Sequence, residues 1–254
     1  MRNPRLFTDQ PLTPGDQVVL KGNVAQHLGR VLRARSGDHI ALFNGDGQEF
    51  AAQVLTVSKG EVSVEVGAAA TPQTESPVFT TLGLCLSKGD RFDWGIQKAT
   101  ELGVGAIAPL YSERVDFNIP PDRIEKRVAH WRQIAISACE QCGRVKVPPI
   151  TPPQSLAVWV ENVSAEQKWV LHCTEDTGVS ASAMTQGAPR DAALLIGPEG
   201  GLTDQEFAAA STEGFQLLQL GPRVLRTETA PAAALSVLGV FWGEMPSGTR
   251  SYNP

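Results

Sequence analysis

Two different hydrophobic periods divide the chain. Over its first seventy residues apolar and polar positions alternate in short runs, the spacing of half-buried β-strands. "DQVVL" (16–20) predicts one strand, and "HIALFNGDGQEFAAQVLTVSKGEVSVEVG" (39–67) predicts several more around turn signals at "NGDG" and "SKGE". Between them, Ala25, Leu28, Val31 and Leu32 fall on one face of a helix running from Asn23 to Ala34. A small β-barrel with one helix, residues 1–70, accounts for this part. "TPQTESP" (71–77) is polar and interrupted by proline, as a linker would be.

From residue 78 the pattern changes. Apolar runs at 79–87, 104–111, 168–173, 192–197 and 215–221 are buried strands without alternation. Helical patterns lie between and after them, at 90–103, 120–143 and 230–243. Thr203 and Glu206 form a T-x-x-E capping box, which starts another helix after "GPEGGL". Strands alternating with helices predict an α/β domain, 78–254, with a mainly parallel sheet covered on both faces.

Two loops concentrate the candidate chemistry. "LIGPEGGLTDQE" (195–206) and "LGPRVLRTETA" (220–230) each follow a strand and lead into a helix. In open α/β sheets, ligands bind beyond the carboxyl ends of the strands. Gly197, Gly200, Gly201 and Gly221 permit close approach of backbone to a ligand, and Pro198 and Pro222 stiffen the path. Neither loop is a phosphate-binding P-loop or a G-x-G-x-x-G fingerprint, and no G-x-S-x-G nucleophile elbow occurs. Elimination leaves a cofactor that lacks phosphate and is read by backbone groups. Arg226 can stabilise negative charge or grip a phosphate, and Glu228 can take a proton. The plainer alternative is that the two pair with other charges and hold the loop in shape.

Charge changes this picture only locally. The net charge of -5 argues mildly against a nucleic-acid partner. Residues 1–60, however, carry seven Lys or Arg against five Asp or Glu, including Arg30, Arg33 and Arg35. A second group spans Arg123, Lys126, Arg127, Arg132, Arg144 and Lys146. The chain has 254 residues and 42% hydrophobic content, as expected of a soluble globular protein with a substantial core. It has no run of eighteen apolar residues and no signal-peptide core near its start, so neither a membrane partner nor export is expected, and the expected compartment is the cytoplasm. Cys139 and Cys142 make a C-x-x-C, but no second ligand pair follows at zinc spacing. Packing at a helix end is the better reading of that pair, and no metal is expected.

With these residues in hand, the chain resembles the RsmE family, SPOUT-superfamily methyltransferases of small-subunit ribosomal RNA. The matching stretches are "RVLRARSGD" in the barrel, "IQKATELGV" from Ile96, "ACEQCGR" from Ala138, and the two glycine-rich loops. The resemblance implies a PUA-like RNA-binding barrel followed by an α/β SPOUT domain whose last part is threaded into a trefoil knot. It implies S-adenosyl-L-methionine as cofactor, held by Leu171, His172, Ile196, Gly197, Pro198, Glu199, Gly200, Gly201, Leu220, Gly221, Leu225, Arg226, Thr227 and Ala230. It implies methylation of N3 of one uridine at the decoding centre of 16S rRNA, in free rRNA or the assembled small subunit, by a homodimer. Arg226 and Glu228 are the candidate catalytic pair, with Glu199 a weaker candidate base. Arg30, Arg33, Arg35, Arg144 and Lys146 are the candidate RNA contacts. Pro231, inside the helix after the second loop, is a departure from the pattern, harmless only in a first turn. Two alternatives stay open: a SPOUT enzyme acting on a ribose 2′-hydroxyl or a tRNA base, and a non-catalytic RNA-binding assembly factor.

Overall fold

The computed structural model describes residues 3–172, 179–180 and 188–244. The chain divides into two compact units. One comprises Met1–Glu75 with Ile136–Val147, the other Ser76–Ala135 with Pro148–Pro254.

The first unit is built on a five-stranded sheet. Its strands are β1 (Arg5–Phe7), β2 (Gln17–Lys21), β3 (His39–Phe43), β4 (Glu49–Ser58) and β5 (Glu61–Ala70), in the order β1-β3-β4-β5-β2. Strand β1 runs parallel to β3, and the remaining pairs are antiparallel. The alternation expected from sequence is present. Phe50, Ala52 and Val54 point inward from β4, and Val62, Val64 and Val66 from β5. The helix between β2 and β3 differs from expectation. It runs as α1 (Gly22–Gln26) and then widens into a π-helical turn over His27–Val31. A wider turn rotates later side chains off the original face. Ala25 and Leu28 are buried, but Val31 is 68% exposed and Leu32 39%.

The linker is tied down. Glu75 accepts hydrogen bonds from Arg144 Nε (2.9 Å) and Nη2 (2.7 Å), and from the amides of Val145 and Lys146. This unit also takes in the end of helix α3 (Pro121–Cys142), where Ile136 and Cys139 pack with Phe7, Phe43 and Val145. Cys139 is fully buried, which pushes its thiol up to about 12, and its Sγ donates to the Lys146 carbonyl at 3.5 Å. It serves packing, as its place at a helix end suggests.

The second unit holds a seven-stranded sheet. Its strands are β6 (Phe79–Cys85), β7 (Ala106–Tyr111), β8 (Gln154–Ser155), β9 (Gln167–Leu171), β10 (Val179–Ser180), β11 (Asp191–Ile196) and β12 (Gln216–Gln219). The order is β10-β12-β9-β11-β6-β7-β8, and every pairing is parallel. Helices α4 (Leu156–Asn162) and α5 (Asp204–Thr212) cover one face, packing Leu156, Trp159, Val160 and Ala210 against Cys85, Ala193 and Leu195. Helices α2 (Arg91–Glu101) and α6 (Thr229–Phe241) pack together. Gly95 of α2 lies over Leu84, which neighbours Cys85 on β6 and so points to the opposite face. An α/β fold with a parallel sheet between helical layers is the architecture expected from the alternating segments.

Gly83 marks a close approach of α4 to the sheet. A Cβ there would lie 2.6 Å from the ring of Trp159, itself only 5% exposed. Gly83→Ala must displace a buried indole, and overpacking of this kind costs about 1–3 kcal/mol. Thermal unfolding should show the loss, and an unchanged midpoint would mean that α4 yields freely.

Candidate active site

Three neighbouring strands, β12, β9 and β11, end at one edge of the parallel sheet. The chain leaves β11 into the loop 197–203, passes through α5, returns along β12 on the far side of β9, and enters the loop 220–228. The two glycine-rich loops are thereby brought to the same side by strand order, not by closeness in sequence.

Between them lies a cavity of about 720 Å³. Leu171, His172 and Ile196, at the ends of β9 and β11, line it. Gly197, Pro198, Glu199 and Gly201 form one wall. Leu220, Gly221, Leu225, Arg226, Thr227, Glu228 and Ala230 contribute the other. Of the residues singled out for the cofactor, only Gly200 stands outside the lining. Arg91, Leu218 and Arg223 are lining residues that sequence reasoning missed. Arg91 opens α2, far from either loop in sequence, and no local signal connects it to them.

Local chemistry explains how the walls hold their shape. Gly197 runs so close to Leu202 that a Cβ would lie 3.1 Å from its amide nitrogen. Gly201 adopts φ +70° and closes a turn by donating its amide to the Pro198 carbonyl at 2.9 Å. The capping box at the head of α5 is complete. Thr203 Oγ1 accepts from the Glu206 amide, and the Glu206 carboxylate accepts from the Thr203 amide at 2.8 Å. At the second loop, the Arg226 carbonyl accepts from the amides of Thr229 and Ala230, starting α6. Pro231 is therefore the third residue of that helix, where its missing N–H breaks no intrahelical bond.

The charged groups differ in how firmly they are engaged. Glu199 is held by Arg91 Nη1 at 2.9 Å and by the Lys88 amide at 3.3 Å, which ties up the weaker candidate base. Arg226 and Glu228 are 4.0 Å apart, with 82% of the arginine side chain exposed but only 18% of the glutamate. An ion pair so long and so solvated contributes little to structure. His172 stacks on Phe207 with ring centroids 4.6 Å apart. Burial holds its imidazole below the usual histidine range, opposed by Asp204 and aided by Arg114. Among the described residues, no group of three or more His, Cys, Asp and Glu is arranged to hold a metal.

Comparison with known proteins places this architecture. Residues 74–239 match the RNA methyltransferase domain family, and residues 20–67 match the RNA methyltransferase PUA domain. Ribosomal RNA small subunit methyltransferase E of Buchnera aphidicola subsp. Schizaphis graminum is 30% identical, covering 96% of this chain and 98% of that protein. The chain belongs to the RsmE family. The Bacillus subtilis member is 33% identical over 91% of this chain and 93% of its own length. A Legionella pneumophila methyltransferase solved with the cofactor S-adenosylmethionine superposes with a TM-score of 0.89 at 39% identity, covering 94% of this chain and 98% of that one. The Neisseria gonorrhoeae ribosomal RNA small subunit methyltransferase E, also bound to S-adenosylmethionine, gives 0.86 at 37% identity, covering 95% and 98%.

Within this RsmE-family chain the candidate RNA contacts divide. Arg30, Arg33, Arg35 and Lys146 are exposed cations of the first unit. Arg33 sits in the left-handed region at φ +53°, and the Arg35 amide donates to Asp38, so the segment 33–38 is a shaped turn. Arg144 corrects the expectation. It is only 4% exposed, and its guanidinium makes two bonds to Glu75. A buried guanidinium already committed to a carboxylate is part of the scaffold, not a phosphate contact.

Proposed function

We propose that this RNA methyltransferase uses S-adenosyl-L-methionine to methylate N3 of one uridine at the decoding centre of 16S rRNA. The observation that carries the reading is the cavity at the ends of β12, β9 and β11. Its volume and mixed lining suit a small organic cofactor. Leu171, Ile196, Leu220, Leu225 and Ala230 offer apolar contact, while the glycine-rich walls offer backbone donors and acceptors. The bound cofactor supplies an electrophilic methyl group on a sulfonium. The full-length likeness to small-subunit methyltransferase E proteins favours rRNA over tRNA or a purely structural role.

The chain's own residues supply the rest. Uracil N3 carries a proton at neutral pH, so it must lose that proton to become a nucleophile. Glu228, at the head of α6, is the acceptor in this scheme. Arg226 stabilises the negative charge that develops on the uracil oxygens. The two loop walls fix the line of approach, which by itself can contribute several kcal/mol. The target uridine has to leave its stack, because N3 lies on the Watson–Crick edge. Arg30, Arg33, Arg35 and Lys146 of the PUA-like unit grip the RNA backbone in this reading. The resemblance further implies a trefoil knot in the 78–254 domain and a homodimer, and the compartment proposed is the cytoplasm. Among the described residues no helix is long and apolar enough to cross a membrane.

The test is incubation of the protein and S-adenosylmethionine with small subunits and, separately, with deproteinised 16S rRNA, followed by mass mapping of nuclease fragments. One new methyl at N3 of a single uridine is expected. A methyl on ribose, on a tRNA base or nowhere would overturn the assignment.

A further inference from the structure

The loop 197–202 has an inner face in the cavity wall and an outer face turned away from it. Gly197, Pro198, Glu199 and Gly201 line the cavity, whereas Gly200 does not. The outer face is occupied by a residue from a different part of the sheet. Arg114 follows β7, which lies two strands from β11. Its Nη1 donates to the Gly200 carbonyl at 2.6 Å and to the Leu202 carbonyl at 3.3 Å. The preceding residue is anchored to the same structure. The Glu113 amide donates to Glu206 Oε1 at 2.8 Å, while Oε2 of that carboxylate accepts from the Thr203 amide.

We infer that Arg114 is a positioning residue for the cofactor, clamping the outer face of the 197–202 loop so that its inner face keeps the shape of the cavity wall. The inference rests on the reading of that cavity as the S-adenosylmethionine site. Three features support it. A loop with glycines at 197, 200 and 201 has large conformational freedom to lose on ordering, and a cationic donor across two of its carbonyls removes much of it. Gly200 has no positive φ that would call for glycine. A Cβ there would instead lie 3.3 Å from Arg114 Cδ and 3.4 Å from its Cβ, so the missing side chain makes room for the arginine. Finally, Glu199 is held from another side by Arg91, so that both backbone and side chain of the loop are fixed by arginines that follow β6 and β7.

A lysine cannot reproduce the clamp fully, because both bonds come from Nη1 and an ammonium ends one bond nearer the backbone. Arg114→Ala is therefore expected to weaken S-adenosylmethionine binding by about tenfold in calorimetry. It should raise KM for the cofactor and leave kcat within about threefold, the signature of lost binding rather than lost chemistry. Arg114→Lys should fall between. A double-mutant cycle separates the clamp from general damage. Gly200→Ala should weaken binding when Arg114 is present and cost nothing further in the Arg114→Ala protein. Should Arg114→Ala not fold, Arg114→Lys serves alone, since it keeps Cβ, Cγ and Cδ beside Gly200 but loses the Nη1 donor, and it should bind S-adenosylmethionine more weakly than the parent. Unaltered binding by the Arg114 variants, or an equal cost of Gly200→Ala in both backgrounds, overturns the inference. A parent protein that binds no S-adenosylmethionine overturns the cofactor reading instead. Hydrogen exchange of the 199–202 amides without cofactor then judges the clamp alone, with faster exchange in Arg114→Ala upholding it and unchanged exchange refuting it.

Discussion

An Arg226→Ala enzyme is expected to bind S-adenosylmethionine within about tenfold of the parent and to turn over roughly 10²–10³ times more slowly, the usual consequence of deleting one donor to a developing anion. The geometry makes this a clean substitution. The backbone of Arg226 does structural work, since its carbonyl accepts from Thr229 and Ala230 at the start of α6. The side chain does little, being 82% exposed and 4.0 Å from its nearest carboxylate. Alanine keeps the carbonyl and removes only the guanidinium. Glu228→Gln should cost less, about 10²-fold, because positioning by the loops survives it. Single-turnover rates on small subunits, with calorimetric cofactor affinity alongside, would decide. An Arg226→Ala enzyme of near-normal rate would leave the guanidinium with no part in methyl transfer, and one that lost cofactor affinity a hundredfold would make it a binding residue.

What could be read from the sequence was what neighbouring residues determine. The T-x-x-E box at Thr203 and Glu206 is a four-residue pattern, and both of its hydrogen bonds are present. The strands flanking the glycine-rich loops were legible as apolar runs, and a parallel sheet puts their carboxyl ends on one edge. What could not be read depends on distant partners. Glu75 and Arg144 are 69 positions apart in the chain, so a basic cluster around Arg144 looked like a surface patch when its arginine is buried. The helix over 23–34 follows its predicted face through Leu28 and then loses it, because a π-turn shifts the period that the pattern assumed. Helix α4 is seven residues long, below the length at which apolar spacing distinguishes a helix from a loop. Arg91 and Arg114 reach the 197–202 loop only because strand order places β6 beside β11 and β7 one strand further on.

Arg5 is another case of distant partners, and its removal should give a large stability loss. Nothing in "MRNPRLF" distinguishes it from an ordinary surface cation. In the fold its side chain is 4% exposed and lies 5.0 Å from the centre of the Phe43 ring. It pairs with Glu49 and donates to the carbonyls of Cys139, Glu140, Gly143 and Arg144. Those carbonyls belong to the last turn of α3 and the residues just beyond it, where intrahelical donors are scarce and the helix dipole is negative. One guanidinium thus satisfies groups from β4 and from the end of α3, which are remote from it in sequence. Arg5→Ala takes a donor from each of these carbonyls, of which that of Cys139 keeps the Gly143 amide, and leaves Glu49 without its partner. Arg5 is buried but the Glu49 side chain is 26% exposed, so the loss falls at the lower end of that for a broken buried pair, about 3 kcal/mol. For a unit of this size each kcal/mol lowers the unfolding midpoint by roughly 4–8 °C, so a fall of about 15 °C or more is expected in calorimetry. Arg5→Lys should recover less than half of it, because an ammonium carries the charge but cannot span carbonyls so spread out. A fall of only a few degrees in Arg5→Ala would mean that water reaches these carbonyls, and that the end of α3 is held by the packing of Ile136 and Cys139 and by the bond from the Phe7 amide to Glu140.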